Sequence, residues 1–189
     1  MHLLGAVCPL TLSIIMEGYR LEWDPDLGMA PPAHLSNHPS AHSHHAFVTG
    51  AVMAGTAAGI MQRCGQDDLR CVLPLGVAVN SVGKLRLIWD GRHVNEYLTI
   101  TKFKMETLQS EGRTLFDSAS FGRSVDISGA YHHVDMHPSA FPYLGFEWEG
   151  EFYRFVVLPF GLATAPRIFT LVMSHTVRFL RSIGVNLLI

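Results

Sequence analysis

The chain has 189 residues, 48% of them hydrophobic and 16% charged, which excludes an intrinsically disordered polypeptide and leaves room for one packed core. A formal net charge of −2 argues against a dedicated duplex-DNA binder, whose domain is usually basic, but not against an enzyme with a local basic patch. Cys8, Cys64 and Cys71 form neither a zinc spacing nor an even disulfide framework, so a reducing, intracellular setting (cytoplasmic or nuclear) is expected.

Residues 1–45 read as a loop-rich lead-in, punctuated by Pro25, Pro31, Pro32 and Pro39. Leu3 to Met16 is apolar like a signal-peptide core, but no Lys or Arg precedes it and no small-x-small cleavage site follows. His42, His44 and His45 have no Cys, Asp or Glu at ligand spacing, so exposed loop outweighs metal binding. A helix is expected over His45–Gln62, burying Phe47, Val52 and Ile60 and ending at Cys64-Gly65. Its uncharged run, Ala46 to Met61, contains Gly55-x-x-x-Gly59 but is shorter than the ~20 residues of a membrane span, so no membrane partner is expected.

Cys71 to Val79 is a strand signal, with Pro74 pushing its first half to an edge or bulge. A turn at Asn80–Gly83 leads into Lys84–Trp89, where Leu85, Leu87 and Trp89 share one face and Lys84, Arg86, Ile88 and Asp90 the other. Two cations on one strand face suit a phosphate, though on pattern alone an ordinary solvated face is the stronger reading. Asp90 to Asn95 leaves the strand as a polar turn in which Arg92 can pair with Asp90. Thr101 to Gly112 reads as a short helix or loop.

Val125 and Ile127 flank Asp126 as β-formers, so a short buried strand would carry one carboxylate out at its end, before Ser128-Gly129 breaks it. A carboxylate there is costly unless a metal or a basic partner meets it. His133, Asp135 and His137 alternate and would share a strand face, a rival transition-metal reading of lower weight. Tyr143–Trp148 and Phe152–Val157 read as a hairpin around Glu149-Gly150-Glu151. Leu158 to Leu162 is a bent loop, and Thr164-Ala165-Pro166 starts a helix with a capping hydroxyl. Ile168, Phe169, Val172, Thr176, Phe179 and Leu180 keep the helical period to about Ser182, Gly184 closes the helix, and Val185–Ile189 begins another apolar strand.

Three stretches in this order resemble the reverse transcriptase domain of retroelements, with most likeness to DIRS-type and related retrotransposon polymerases. They are Lys84-Leu-Arg-Leu-Ile-Trp-Asp-Gly-Arg-His-Val-Asn95, Val125-Asp-Ile-Ser-Gly-Ala-Tyr-His-His-Val134 and Leu158-Pro-Phe-Gly-Leu-Ala-Thr-Ala-Pro-Arg-Ile-Phe169. The resemblance implies an α+β fold: a partial polymerase with fingers and palm, an antiparallel sheet and packed helices, divided as 1–45 lead-in, 46–112 fingers-like and 113–189 incomplete palm. It also implies two-Mg²⁺ nucleotidyl transfer with an RNA or DNA template-primer and a deoxynucleoside triphosphate as partners.

By the same resemblance Asp126 is the first catalytic, metal-binding carboxylate, and Ile127 lends its backbone carbonyl to the metal. Tyr131 lies under the sugar and disfavours a ribose 2′-hydroxyl. Arg86 and Lys84 grip base and phosphates, and Phe160 and Gly161 line the nucleotide pocket. The family's Tyr-x-Asp-Asp hairpin does not occur in the 189 residues, and Val185–Ile189 resembles its leading strand. The expectation is a polymerase cut before that motif, with an incomplete Mg²⁺ site and no activity as this chain alone. The alternatives are a non-catalytic nucleic-acid-binding or decayed remnant, and an RNase H activity carried by a neighbouring domain of the parent polyprotein.

Overall fold

The computed structural model describes residues 8–105 and 126–185. Helix α1 (Pro9–Glu17) has proline in its first turn and ends at Gly18. Gly18 takes a φ of 89°, and a Cβ there would come within 2.6 Å of the Met136–His137 backbone. That close approach lets Tyr19 donate its N–H to Asp135 O at 2.7 Å while His137 donates to Tyr19 O at 2.9 Å. The lead-in, expected to be mostly loop, therefore contributes to the core: Tyr19, Leu21, Ala30 and Ala41 are all buried. Ala33–His34 (β1) even joins a sheet.

Helices α2 (Pro39–Ser43) and α3 (His45–Ala57) follow. The helix expected to reach Gln62 stops at Ala57, because Gly59 turns to a φ of 71° and Ile60 donates back to Gly55 O, a Schellman-type ending. Met61–Cys64 becomes strand β2 instead. A glycine-rich segment has weak helix propensity, and pairing with a distant strand outweighs it.

One apolar run yields two strands, β3 (Cys71–Val72) and β4 (Leu75–Val79), which Pro74 divides between two sheets. β4 pairs antiparallel with β5 (Leu85–Trp89), Val79 opposite Leu85. The short helix α4 (Arg92–Asn95) follows. The second sheet has the order β1-β3-β6-β7-β2, with β6 at Gly145–Trp148 and β7 at Glu151–Phe155. Its β6–β7 and β7–β2 pairs are antiparallel, while β1–β3 and β3–β6 are parallel. The sheet is thus mixed where antiparallel pairing was expected, because only its hairpin is joined by a tight turn and the parallel neighbours arrive by long connections. Glu149 and Gly150 make that turn with φ of 54° and 77°, two residues rather than three, since Glu151 already pairs with Trp148.

Helix α5 (Ala165–Ser182) buries Ala165, Ile168 and Val177, and Val185 donates back to Leu180 O across Gly184. One expectation fails here: the Thr164 side chain makes no capping hydrogen bond. Phe179 keeps the helical period but is exposed. One core joins both sheets and α5 through Trp89, Phe146, Phe155, Leu158 and Ile168, with Trp89 edge-on to Phe155 at 6.0 Å. Each such side chain contributes about 1.5–3 kcal/mol on burial. Among the described residues no helix is long and apolar enough to cross a membrane.

Candidate nucleotide-binding site

The loop Leu158–Ala163 runs directly over the end of β5. Gly161 has a φ of 112°, and a Cβ added there would lie 2.1 Å from Trp89 O, so no other residue permits this approach. Gly91 interlocks from the other side, its missing Cβ leaving room for the Trp89 ring and Gly161 O. The Asn95 side chain then spans the loop: Nδ2 donates to Gly161 O at 2.8 Å and Oδ1 accepts from Ala163 N–H at 2.8 Å. One amide thereby satisfies a backbone acceptor and a backbone donor that would otherwise face outward. Sequence reasoning ended a motif on Asn95 without giving it a task. The available signal was a two-way hydrogen-bonding amide at the exit of the Asp90–Asn95 turn.

A second element meets this loop. Gly129, at a φ of 60°, turns the chain into a 3₁₀ segment over Ala130–His133, with His132 N–H donating to Gly129 O at 2.8 Å. The turn presents Tyr131 to Phe160, ring centroids 4.6 Å apart, and to Phe169 at 5.8 Å. His132 meets Phe160 edge-on at 5.5 Å, and burial, aided by neighbouring His133, lowers its pKa so that the neutral imidazole is favoured. Phe160 is 48% exposed, so this aromatic layer has an open outer side. Tyr131 is thus brought against Phe160, 29 residues on in the chain and next to Gly161.

The other expected residues stand apart from that layer. Asp126 and Ile127 are exposed and precede the Gly129 turn outside any strand; Ile127, expected to be buried, is 41% exposed. Val125 lies outside the described residues. Arg86 faces Ala78 across the β4–β5 ladder with its side chain on the exposed side, and Lys84 is exposed at the hairpin turn, its N–H held by Asn80 Oδ1 at 2.8 Å. Asp90 pairs with Arg92, as anticipated, and also with His38 Nε2 at 3.0 Å. The Arg92 guanidinium, helped by His38, holds the Asp90 carboxyl down at about 2.

Among the described residues no group of three or more His, Cys, Asp or Glu is placed to hold a metal. His133 binds Ser128 O and His137 binds Ser139, so the alternating His133, Asp135 and His137 do not converge. His42 stacks on Trp148 and His45 pairs with Glu149, which docks α3 on the β6–β7 turn. Mg²⁺ prefers six oxygens, one or two from carboxylates and the rest from phosphates and water. Asp126 and the Ile127 carbonyl would fill at most two of those positions, and among the described residues no other donor is grouped with them to complete the shell.

The family model described as "Reverse transcriptase (RNA-dependent DNA polymerase)" matches residues 78–189. The Pol polyprotein of transposon 297 from Drosophila melanogaster is 20% identical over 149 residues, covering 78% of this chain and 14% of that protein. The genome polyprotein of Petunia vein clearing virus (isolate Shepherd) is 30% identical over 87 residues, 46% of this chain and 4% of the polyprotein. Among solved structures, the prototype foamy virus protease-reverse transcriptase superposes with a TM-score of 0.63 at 18% identity, covering 92% of this chain and 22% of that one. The foamy viral enzyme in complex with an RNA/DNA hybrid gives 0.63 at 17% identity, covering 89% and 22%. This chain therefore spans a small part of the proteins it matches, and the fold is shared with the viral enzymes.

Proposed function

Since this chain belongs to the reverse transcriptase (RNA-dependent DNA polymerase) family, we propose that it builds the fingers (46–112) and part of the palm (113–189) of an intracellular retroelement polymerase, of DIRS or a related type. Its partners in that reading are an RNA or DNA template-primer and a deoxynucleoside triphosphate. The observation that carries it is the Tyr131–Phe160 layer, 4.6 Å between rings, mounted on a backbone that Gly161 and Asn95 hold rigidly against β5. A flat open aromatic surface beside close-packed backbone suits a sugar and base, and Tyr131 beneath the sugar would select against a 2′-hydroxyl. In this reading Arg86 and Lys84, exposed on the hairpin, engage the phosphates; their exposure supports the assignment.

Asp126 and Ile127 hold one side of a Mg²⁺ pair in this reading. Bound metal would stabilise the charge that develops on the transferred phosphoryl group. Among the described residues Asp126 is the single carboxylate assigned to the metals, and one carboxylate does not hold two, so the expected outcome is no primer extension above background. Extension that Asp126→Ala abolishes would overturn that statement. Binding gives the broader test, with a labelled RNA/DNA hybrid titrated at rising salt. Affinity should fall steeply between about 50 and 200 mM salt, with a shallower slope for Arg86→Ala. Binding that is absent at the lower salt, or indifferent to Arg86, sinks the proposal.

A further inference from the structure

The helix that follows the pocket loop is tied to the N-terminal segment by a polar cluster that none of the three motifs contains. Arg167, in the first turn of α5, donates through Nη2 to both Glu22 carboxylate oxygens, at 2.8 and 2.7 Å, with its side chain only 17% exposed. Beside them sits the Tyr19 phenol, whose pKa burial raises above the usual tyrosine value. Tyr19 OH, Thr164 Oγ1 and Arg167 Nε are all buried and make no hydrogen bond of good geometry, while Thr164 and Arg167 lie close enough to the phenol to counter the rise in its pKa. A buried polar cluster whose members meet one another only loosely costs stability, and its place at one helix start ties that helix to the N-terminal segment.

The backbone of the same segment explains what the cluster can do. Tyr19 is laced to Asp135 and His137, just beyond the Asp126–Tyr131 turn, and Glu22 O accepts from Thr99 N–H at 2.8 Å. Residues 19–22 thus connect three things: the chain after the Tyr131 turn, the chain after α4, and the start of α5. On the outer side of that helix start lies a cavity of about 370 Å³ lined by Ile100, Thr101, Lys102, Phe103, Ala163, Thr164 and Arg167. The cavity leaves the first turn of α5 unpacked on that side, so the polar cluster is what holds it from within.

We propose that Tyr19, Glu22, Thr164 and Arg167 form a positioning clamp that sets the Leu158–Ala163 loop, and with it Phe160, against Tyr131. The proposal rests on the reading of Phe160 and Gly161 as pocket residues. These four are positioning residues: they act on the pocket through the first turn of α5. The Glu22–Arg167 pair is the part that holds, because a buried charge that loses its partner is strongly disfavoured.

The test uses the full chain and two readouts, amide hydrogen exchange and binding of a deoxynucleoside triphosphate in the presence of primed template and Mg²⁺. Ala163 N–H, held by Asn95, and Ala165 N–H, held by Leu162 O, report the loop, while Phe155 N–H reports the sheet. Arg167→Met and Glu22→Gln should each speed exchange at Ala163 and Ala165 on the order of tenfold and leave Phe155 within about twofold. Nucleotide affinity should fall with them, Arg167→Lys should recover part of the loss, and the double variant should be no worse than either single one. Should Arg167→Met fail to fold, Glu22→Gln and Tyr19→Phe carry the same comparison. Unchanged exchange in the loop, or equal acceleration in loop and sheet, overturns the clamp. Failure of the wild-type chain to bind nucleotide overturns the pocket reading instead, and the exchange data still decide the clamp.

Discussion

The Leu158–Ala163 loop and the Asp126–Tyr131 turn touch through one pair of rings, yet they are built in opposite ways. The loop lies in backbone contact with Trp89, is bridged by Asn95 and runs into a helix anchored by Glu22. Asp126 and Ile127 stand exposed ahead of a left-handed glycine. The difference follows from the chemistry each side can settle unaided. A surface for flat apolar rings is fixed by packing before any partner arrives. A carboxylate without a cationic partner stays in water, because burying it unpaired costs several kcal/mol.

The comparison breaks most visibly at Gly161. Gly161→Ala combines a backbone strained for any side chain with a direct overlap on Trp89 O, and should cost roughly 3 kcal/mol or more, read from the urea midpoint. A near-neutral result would mean that the loop is not locked. Asn95→Ala comes next, at about 1–2 kcal/mol, since it removes two hydrogen bonds and leaves Gly161 O and Ala163 N–H to find water. Asp126→Ala should be smallest for stability, within about 0.5 kcal/mol, while removing any Mg²⁺ dependence of nucleotide binding. A destabilisation matching that of Gly161→Ala would erase the contrast between the two sides.

Acid sharpens the comparison further along the scaffold. Arg92 holds the Asp90 carboxyl at about 2, below the ~3.9 of an unfolded aspartate, so the unfolded chain takes up the proton first. Stability from the pair is therefore complete above about pH 4 and is lost as pH falls toward 2. Urea midpoints of wild type and Asp90→Asn should differ at neutral pH and converge across that window. A gap that persists to pH 2 would show that Asp90 acts through something other than its charge.

Much of the architecture was legible from local pattern. Alternation in Leu85–Trp89, a hairpin turning at Glu149-Gly150 and the helix from Ala165 all rest on short-range constraints of pleat, φ and ring. What was not legible depended on partners far away in sequence. Met61–Cys64 looked like the end of a helix until Phe152–Phe155 was there to pair with it. Thr164 looked like a cap, but its hydroxyl turns inward beside Tyr19. Asn95 gained its meaning only when Gly161 and Ala163 came within reach, and Arg167 only with Glu22, 145 residues away.

By itself the sequence determined the β5 strand, the β6–β7 hairpin and the α5 helix, and through three ordered motifs the family to which the chain belongs, because turn chemistry, periodicity and motif spacing are written in neighbouring residues. It also singled out Tyr131, Phe160 and Gly161. Only the tertiary structure decided that Tyr131 meets Phe160, that Lys84 and Arg86 stand apart on the hairpin, and that the helix after the Leu158–Ala163 loop is tethered to the lead-in. The physical reason is that such contacts are set by how the whole core closes, and burial, pairing and close backbone approach have no local code.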